Sequence, residues 1–128
     1  MRTLLFLRRF SRNDSGATAV EYGLVLPLLV LAIMGGIWVG MLTFSASSLD
    51  LAVQSAARCM SVDANNCGSA SATQSYALAQ FNAPGIVTPT FTASASGCGH
   101  TVIAQANFNL SLVPGIGAVP LSSSACYP

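Results

Sequence analysis

A single carboxylate, Glu21, stands at the entrance of a long apolar run, and four residues before it lies Ala17, preceded by Gly16. A charge at the edge of hydrocarbon is costly unless something pairs with it. Scission between Gly16 and Ala17 would create an α-amine one helical turn from Glu21, on the same face of a helix. The chemistry available here is pairing of an ammonium group with a carboxylate, and it points to a processed, membrane-held subunit that assembles. Little else in the chain suggests catalysis. From Ala17 onward there are one histidine, His100, two aspartates, Asp50 and Asp63, and one glutamate. His100 reads as an exposed turn residue, and the two aspartates as solvated helix and loop residues. No Ser/His/Asp order with supporting context and no phosphate-binding glycine loop is present. The sequence therefore predicts no enzyme, no catalytic residue, no cofactor and no small-molecule substrate.

Four cysteines, Cys59, Cys67, Cys98 and Cys126, all follow the apolar run. An even number of cysteines in an exported small domain favours disulfides over free thiols. Three pairings are possible. The favoured one joins Cys59 to Cys67 in a short local loop and Cys98 to Cys126 as a clamp between C-terminal strands. A zinc site is disfavoured because no C-x2-4-C spacing occurs, so no metal is expected.

The elements that carry these residues follow from composition and period. Of 128 residues, only 7% are charged and 52% are hydrophobic, against about 25% charged in soluble domains. Gly23 to Phe44 holds no charged side chain and exceeds the roughly 20 residues that span hydrocarbon as a helix. No second run of that length exists, so the chain crosses a membrane once at most. Four arginines and one aspartate precede Ala17, whereas one arginine and three carboxylates follow. The positive-inside rule places the N-terminus in the cytoplasm and the C-terminal part outside. With no basic patch after the leader, nucleic-acid binding is not expected.

Residues 1–16 do not read as an ordinary secretory signal. Their apolar patch, Leu4 to Leu7, is very short and has arginines on both sides, and the proposed cut precedes the main apolar run. Removing the leader leaves the membrane helix on the mature protein. The alternative is an uncleaved signal anchor carrying a periplasmic binding module.

Residues 17–60 read as one long helix containing the transmembrane segment 23–44. Beyond the span, Leu49, Val53, Ala56, Ala57 and Met60 recur at helical spacing, with Asp50, Gln54 and Arg58 on another face. From Ala17 to Arg58 such a helix would be roughly 63 Å long. Pro27 favours a kink that membrane helices tolerate, and Gly36 with Gly40 forms a GxxxG pair that permits close helix approach. Residues 61–128 form a small domain with disulfides. It begins with a loop over 61–69. A short helix over Ser71 to Phe81 follows, with Tyr76, Leu78, Ala79 and Phe81 on its apolar side. Strands are expected at about 86–95, 101–112 and 118–126. The second alternates Val102, Ala104, Ala106, Phe108 and Leu110 against Ile103, Gln105, Asn107, Asn109 and Ser111; Gly97 and Gly99 mark the first turn, Pro114, Gly115 and Gly117 the second. The expected fold class is α+β: a long pilin-like N-terminal transmembrane helix, then a short helix and a three-stranded antiparallel sheet packed on the long one.

The leader, Gly16, Ala17, Glu21, Tyr22 and Leu26-Pro27 together resemble the prepilin-like proteins of the tight-adherence (Flp-type) pilus system. Within that system the chain is most similar to the TadE-like family of minor pseudopilins. The stretch G-A-T-A-V-E-Y-G-L-V-L-P resembles that family's N-terminal region. Leu49-Asp50, Ala52 and Ser55-Ala56-Ala57-Arg58 resemble its alanine-rich segment, and V-P-G-I-G-A-V-P-L-S-S-S-A its connection to a last strand. The resemblance implies a cut between Gly16 and Ala17 by an aspartic prepilin peptidase of the bacterial inner membrane. Glu21 would then be the fifth mature residue, needed for processing or assembly, and Tyr22 matches the Glu-Tyr pair of Flp pilins. The implied partners are the prepilin peptidase, other pilin subunits, the inner-membrane assembly platform and membrane lipid. Flp major pilins are much shorter and lack a folded C-terminal domain, so the resemblance implies a minor pilin or pseudopilin of a type IV-like pilus or secretion apparatus.

Overall fold

A computed structural model describes residues 15–109 and 117–128. The elements run α1 (Ser15–Val62), α2 (Ala64–Cys67), α3 (Ala70–Gln80), β1 (Val87–Ser96), β2 (Gly99–Phe108) and β3 (Val119–Tyr127). The expected α+β class holds: a long apolar N-terminal helix precedes a small domain with short helices and one antiparallel sheet of order β1-β2-β3. The chain divides into two compact units, up to Val39 and from Gly40 onward.

The first unit, within the described residues, is helix alone. Pro27 lies inside it, and large apolar side chains face outward on every side: Leu24 and Leu31 are 74% and 70% exposed, Val25 57%. A helix that is apolar all round has no core of its own to enter, and lipid or other helices must cover it. From Ala19 onward α1 is long and apolar enough to cross a membrane.

In the second unit α1 has a different character. Ser45, Ser48, Leu49, Ala52, Val53, Ala56 and Ala57 are buried, at the three- and four-residue spacing of one helix face. Asp50, Gln54 and Arg58 remain exposed. The sheet presents a matching face. Val102, Ala104, Ala106 and Phe108 of β2 are buried, and in register beside them stand Ala93, Phe91, Pro89 and Val87 of β1 and Ala125, Ser123, Leu121 and Val119 of β3. Alternate residues such as Thr88, Thr90, Thr92, Gln105 and Asn107 carry hydroxyls and amides to the solvent side, with Ile103 an apolar exception. Pro89 sits on an edge strand, where a missing N–H can be tolerated.

The segment 61–69, expected to be a loop, contains the one-turn helix α2. Asp63 caps it: its Oδ1 accepts from the backbone N–H groups of Asn65 (3.1 Å) and Asn66 (3.2 Å), and its Oδ2 from Asn66 Nδ2 (2.7 Å). A short acidic cap satisfies free N–H groups at a helix start. The apolar side of α3 also differs from expectation. Thr73 and Ala77 are buried, whereas Leu78 is 51% exposed and Ala79 faces solvent. Thr73, Ala77 and Phe81 lie four residues apart on one stripe, and Phe81 meets Phe91 of β1 edge to face at 6.3 Å between ring centres. Thr73 Oγ1 is satisfied by the carbonyls of Cys67 (3.1 Å) and Ser69 (3.0 Å), which makes its burial affordable.

Leu110, Pro114 and Gly115, placed by sequence in the second strand and second turn, lie outside the described residues. In the first turn Gly99 has φ of 123°, and a Cβ there would strike the carbonyl oxygen of Tyr127. Only glycine accepts both conditions.

Candidate assembly site

Glu21 lies in the second turn of α1, four residues after Ala17, and is exposed. The helix places it there because the run from Ala17 contains strong helix formers and no glycine until Gly23. Its neighbours Val20, Tyr22, Leu24 and Val25 are all more than half exposed. Glu21 is thus a carboxylate on a rod with an otherwise apolar surface, near the end where helical N–H groups are free and the dipole is positive. No described side chain is bonded to it. The arrangement suits recognition of a cation presented by another group. Gly16 is exposed as well, with open space where a Cβ would be.

Farther along, a Cβ built on Gly35 or Gly36 would meet nothing, and the same is true at Gly40 in the second unit. These glycines leave backbone open to a neighbour.

The cysteines are brought together in two pairs. Cys59 is bonded to Cys67 with Cα atoms 5.7 Å apart, and Cys98 to Cys126 at 6.3 Å. The first ties the end of α1 to α2; the second ties the β1–β2 turn to the end of β3. By loop-closure entropy alone, separations of 8 and 28 residues correspond to about 2.5 and about 3.6 kcal/mol. For a small domain these are large terms.

His100, expected as an exposed turn residue, is instead the second residue of β2, half-buried between Ala95 and Tyr127 in register. The hairpin turn closes on Gly97 and Cys98 and β2 begins at Gly99, two residues before the expected 101, so His100 falls on the ladder. Its Nδ1 is buried without a hydrogen-bond partner. Among the described residues no group of three or more His, Cys, Asp or Glu is placed to hold a metal ion. Asp50 and Asp63 serve different bonds, one reaching across the fold and one within a turn. Asp50 Oδ1 accepts from Ser123 Oγ of β3 and its Oδ2 from Gln54 Nε2, both at 2.9 Å. The backbone N–H of Asn82, after α3, donates to Ser48 Oγ at 2.9 Å. Sequence reasoning missed both long-range bonds. The signal for the second was a serine on an otherwise apolar helix stripe.

The model of the TadE-like protein family matches residues 16–58. No curated protein and no solved structure matches the chain. The matched segment opens on Gly16, contains Glu21, Tyr22, Pro27, Gly36 and Gly40, and closes on the Ala-Ala-Arg end of the buried helix stripe. The family is one of structural pilus components rather than enzymes, with other pilus components as its general partners, and the apolar helix is in keeping with membrane anchoring. The segment from Gly16 to Arg58 is therefore TadE-like, as in a pilin-like protein of the Tad pilus system.

Proposed function

We propose that this chain is a minor pilin or pseudopilin of a Tad/Flp pilus or secretion apparatus, cut between Gly16 and Ala17 by a prepilin peptidase and assembled through α1. The arginine-rich leader stays in the cytoplasm, the helix waits in the inner membrane, and the disulfide-bonded domain folds on the periplasmic side. Assembly platform proteins then draw the helix into a bundle of similar helices, carrying the domain into the extracellular pilus. The observation that carries this reading is the lone carboxylate of Glu21, exposed on an apolar helix one turn after Ala17.

In the bundle Glu21 meets the α-amine of Ala17 on a neighbouring subunit. The helix dipole adds little to the carboxylate at this distance from the helix start. The ion pair adds attraction in low dielectric, and desolvation offsets much of it. The pair therefore sets the register of one subunit on the next more than it holds them together. Tyr22 lies at the same level and packs against neighbouring helices. Gly36 and Gly40 allow close contact farther along, where the rod would otherwise be wide.

The test begins with the N-terminal sequence of the membrane-purified protein. A start at Ala17 is expected. A start at Met1 favours the uncleaved anchor and its periplasmic binding module instead. The second arm is Glu21→Gln, which should insert into the membrane normally yet leave surface pili severely reduced. Undiminished pili in that variant would remove the proposed role of the carboxylate.

A further inference from the structure

The two disulfides of the C-terminal unit sit in opposite surroundings. Cys67 is fully buried and Cys59 is 8% exposed. Cys98 and Cys126 are both exposed. Cys98 occupies the tight turn between β1 and β2, and Cys126 is the penultimate residue of β3. A thiolate must reach a sulfur atom to exchange with it, so access separates the two bonds.

A hydroxyl group stands beside the exposed pair. Thr101 Oγ1 lies 3.4 Å from Cys98 Sγ and donates to Cys126 Sγ at 3.3 Å. Thr101 is within reach of both sulfurs; Cys98, in the exposed turn beside Gly97, is the one open to attack, and the hydroxyl then steadies the charge left on Cys126. The strand held by this bond is also the least embedded. β1 and β2 each bury side chains, whereas no residue of β3 is fully buried. β3 is retained by its ladder to β2, by the Ser123–Asp50 hydrogen bond and by Cys98–Cys126.

We propose that Cys98–Cys126 is a thiol–disulfide exchange site for a dithiol protein, and that opening it loosens β3 from the sheet while Cys59–Cys67 stays closed. A thiolate of the dithiol attacks Cys98 Sγ. The Cys98–Cys126 bond breaks, and its electron pair leaves on Cys126 Sγ, where Thr101 donates until a proton arrives from solvent. The second thiol of the reagent, deprotonated, attacks the mixed disulfide and expels Cys98 as a thiolate that is then protonated. Two electrons pass to the protein, two thiols form on it, and the reagent ends as a disulfide. The opened chain presents the β2 edge from His100 to Phe108, which β3 had covered. An unpaired edge of that kind accepts a strand from another chain.

The experiment uses the full chain in detergent micelles, graded dithiothreitol, trapping with N-ethylmaleimide and peptide mass mapping. Cys98 and Cys126 should be labelled at dithiol concentrations that leave Cys59 and Cys67 bonded. Hydrogen exchange on that species should quicken across residues 119–127 by on the order of a hundred-fold, with α1 residues 49–57 unchanged. A C-x-x-C protein whose second cysteine is replaced by serine should be captured as a mixed disulfide on Cys98. Reduction of Cys59–Cys67 first or together with the exposed pair would overturn the proposal. Capture on Cys126, or unaltered exchange in β3 after selective reduction, would also overturn it.

Discussion

Replacing Phe108 by alanine tests the face that the sheet turns toward α1. Phe108 is 1% exposed, the largest fully buried side chain among the described residues, and stands in register between Val87 and Val119. Five positions earlier on the same strand, Ile103 points the other way and is 41% exposed. Truncating a buried phenylalanine removes its transfer free energy and leaves a cavity, at a cost of about 3–5 kcal/mol. Truncating Ile103 loses part of a half-solvated side chain and some strand preference, about 0.5–1 kcal/mol. In a domain of this size each kcal/mol moves the melting temperature by about 4–8 °C. Phe108→Ala should therefore lower Tm by at least about 12 °C, and Ile103→Ala by less than about 8 °C. The assay is near-ultraviolet circular dichroism on the full chain in micelles, with both disulfides intact. Equal losses from the two variants would refute the register on which the whole core rests, because a one-residue slip exchanges the faces.

Other expectations follow from single contacts. Gly99→Ala forces a Cβ onto the Tyr127 carbonyl at φ of 123° and should cost about 1–3 kcal/mol in thermal melts, whereas Gly97→Ala, with open space at its Cβ, should cost far less. Asp63 has its carboxyl held below the ordinary value of 3.8 by the Asn66 side chain, then the Asn66 and Asn65 backbone N–H groups. A lowered folded-state value means its stabilising effect is present above the unfolded value and is lost as pH falls through about 4 and below; Asp63→Asn should flatten stability against pH over that window in acid titration melts. The Asp50–Ser123 bond should show a coupling of about 0.5–1.5 kcal/mol in a double-mutant cycle with Asp50→Ala and Ser123→Ala, and no coupling would mean that the two do not meet in solution.

Much of this molecule is legible along the chain because the relevant physics is local. Helical spacing of Leu49, Val53, Ala56 and Ala57 identified the stripe that is buried, and alternation from Val102 to Phe108 identified the inner face of β2. Both patterns record which side of an element avoids water. The position of Glu21, a carboxylate at the head of an apolar helix, was visible in the same way, since it depends only on the residues around it in the chain. The helix α2 was less so. Its cap, Asp63, was read only as a solvated loop residue, and a single turn has too few residues to show a period.

What the tertiary structure decided is which distant groups meet. Asp50 finds Ser123, Ser48 finds Asn82, and four cysteines settle on one of three possible pairings. It also turned α3 so that Thr73 and Ala77, rather than Leu78 and Ala79, face inward, because small side chains and a hydroxyl satisfied by two carbonyls fit where bulk does not. His100 entered the ladder because the strand began two residues sooner than composition suggested. Periodicity records which face of an element avoids water and carries no record of what lies across the core. That choice is made by packing and hydrogen-bond satisfaction among segments that the chain itself holds far apart.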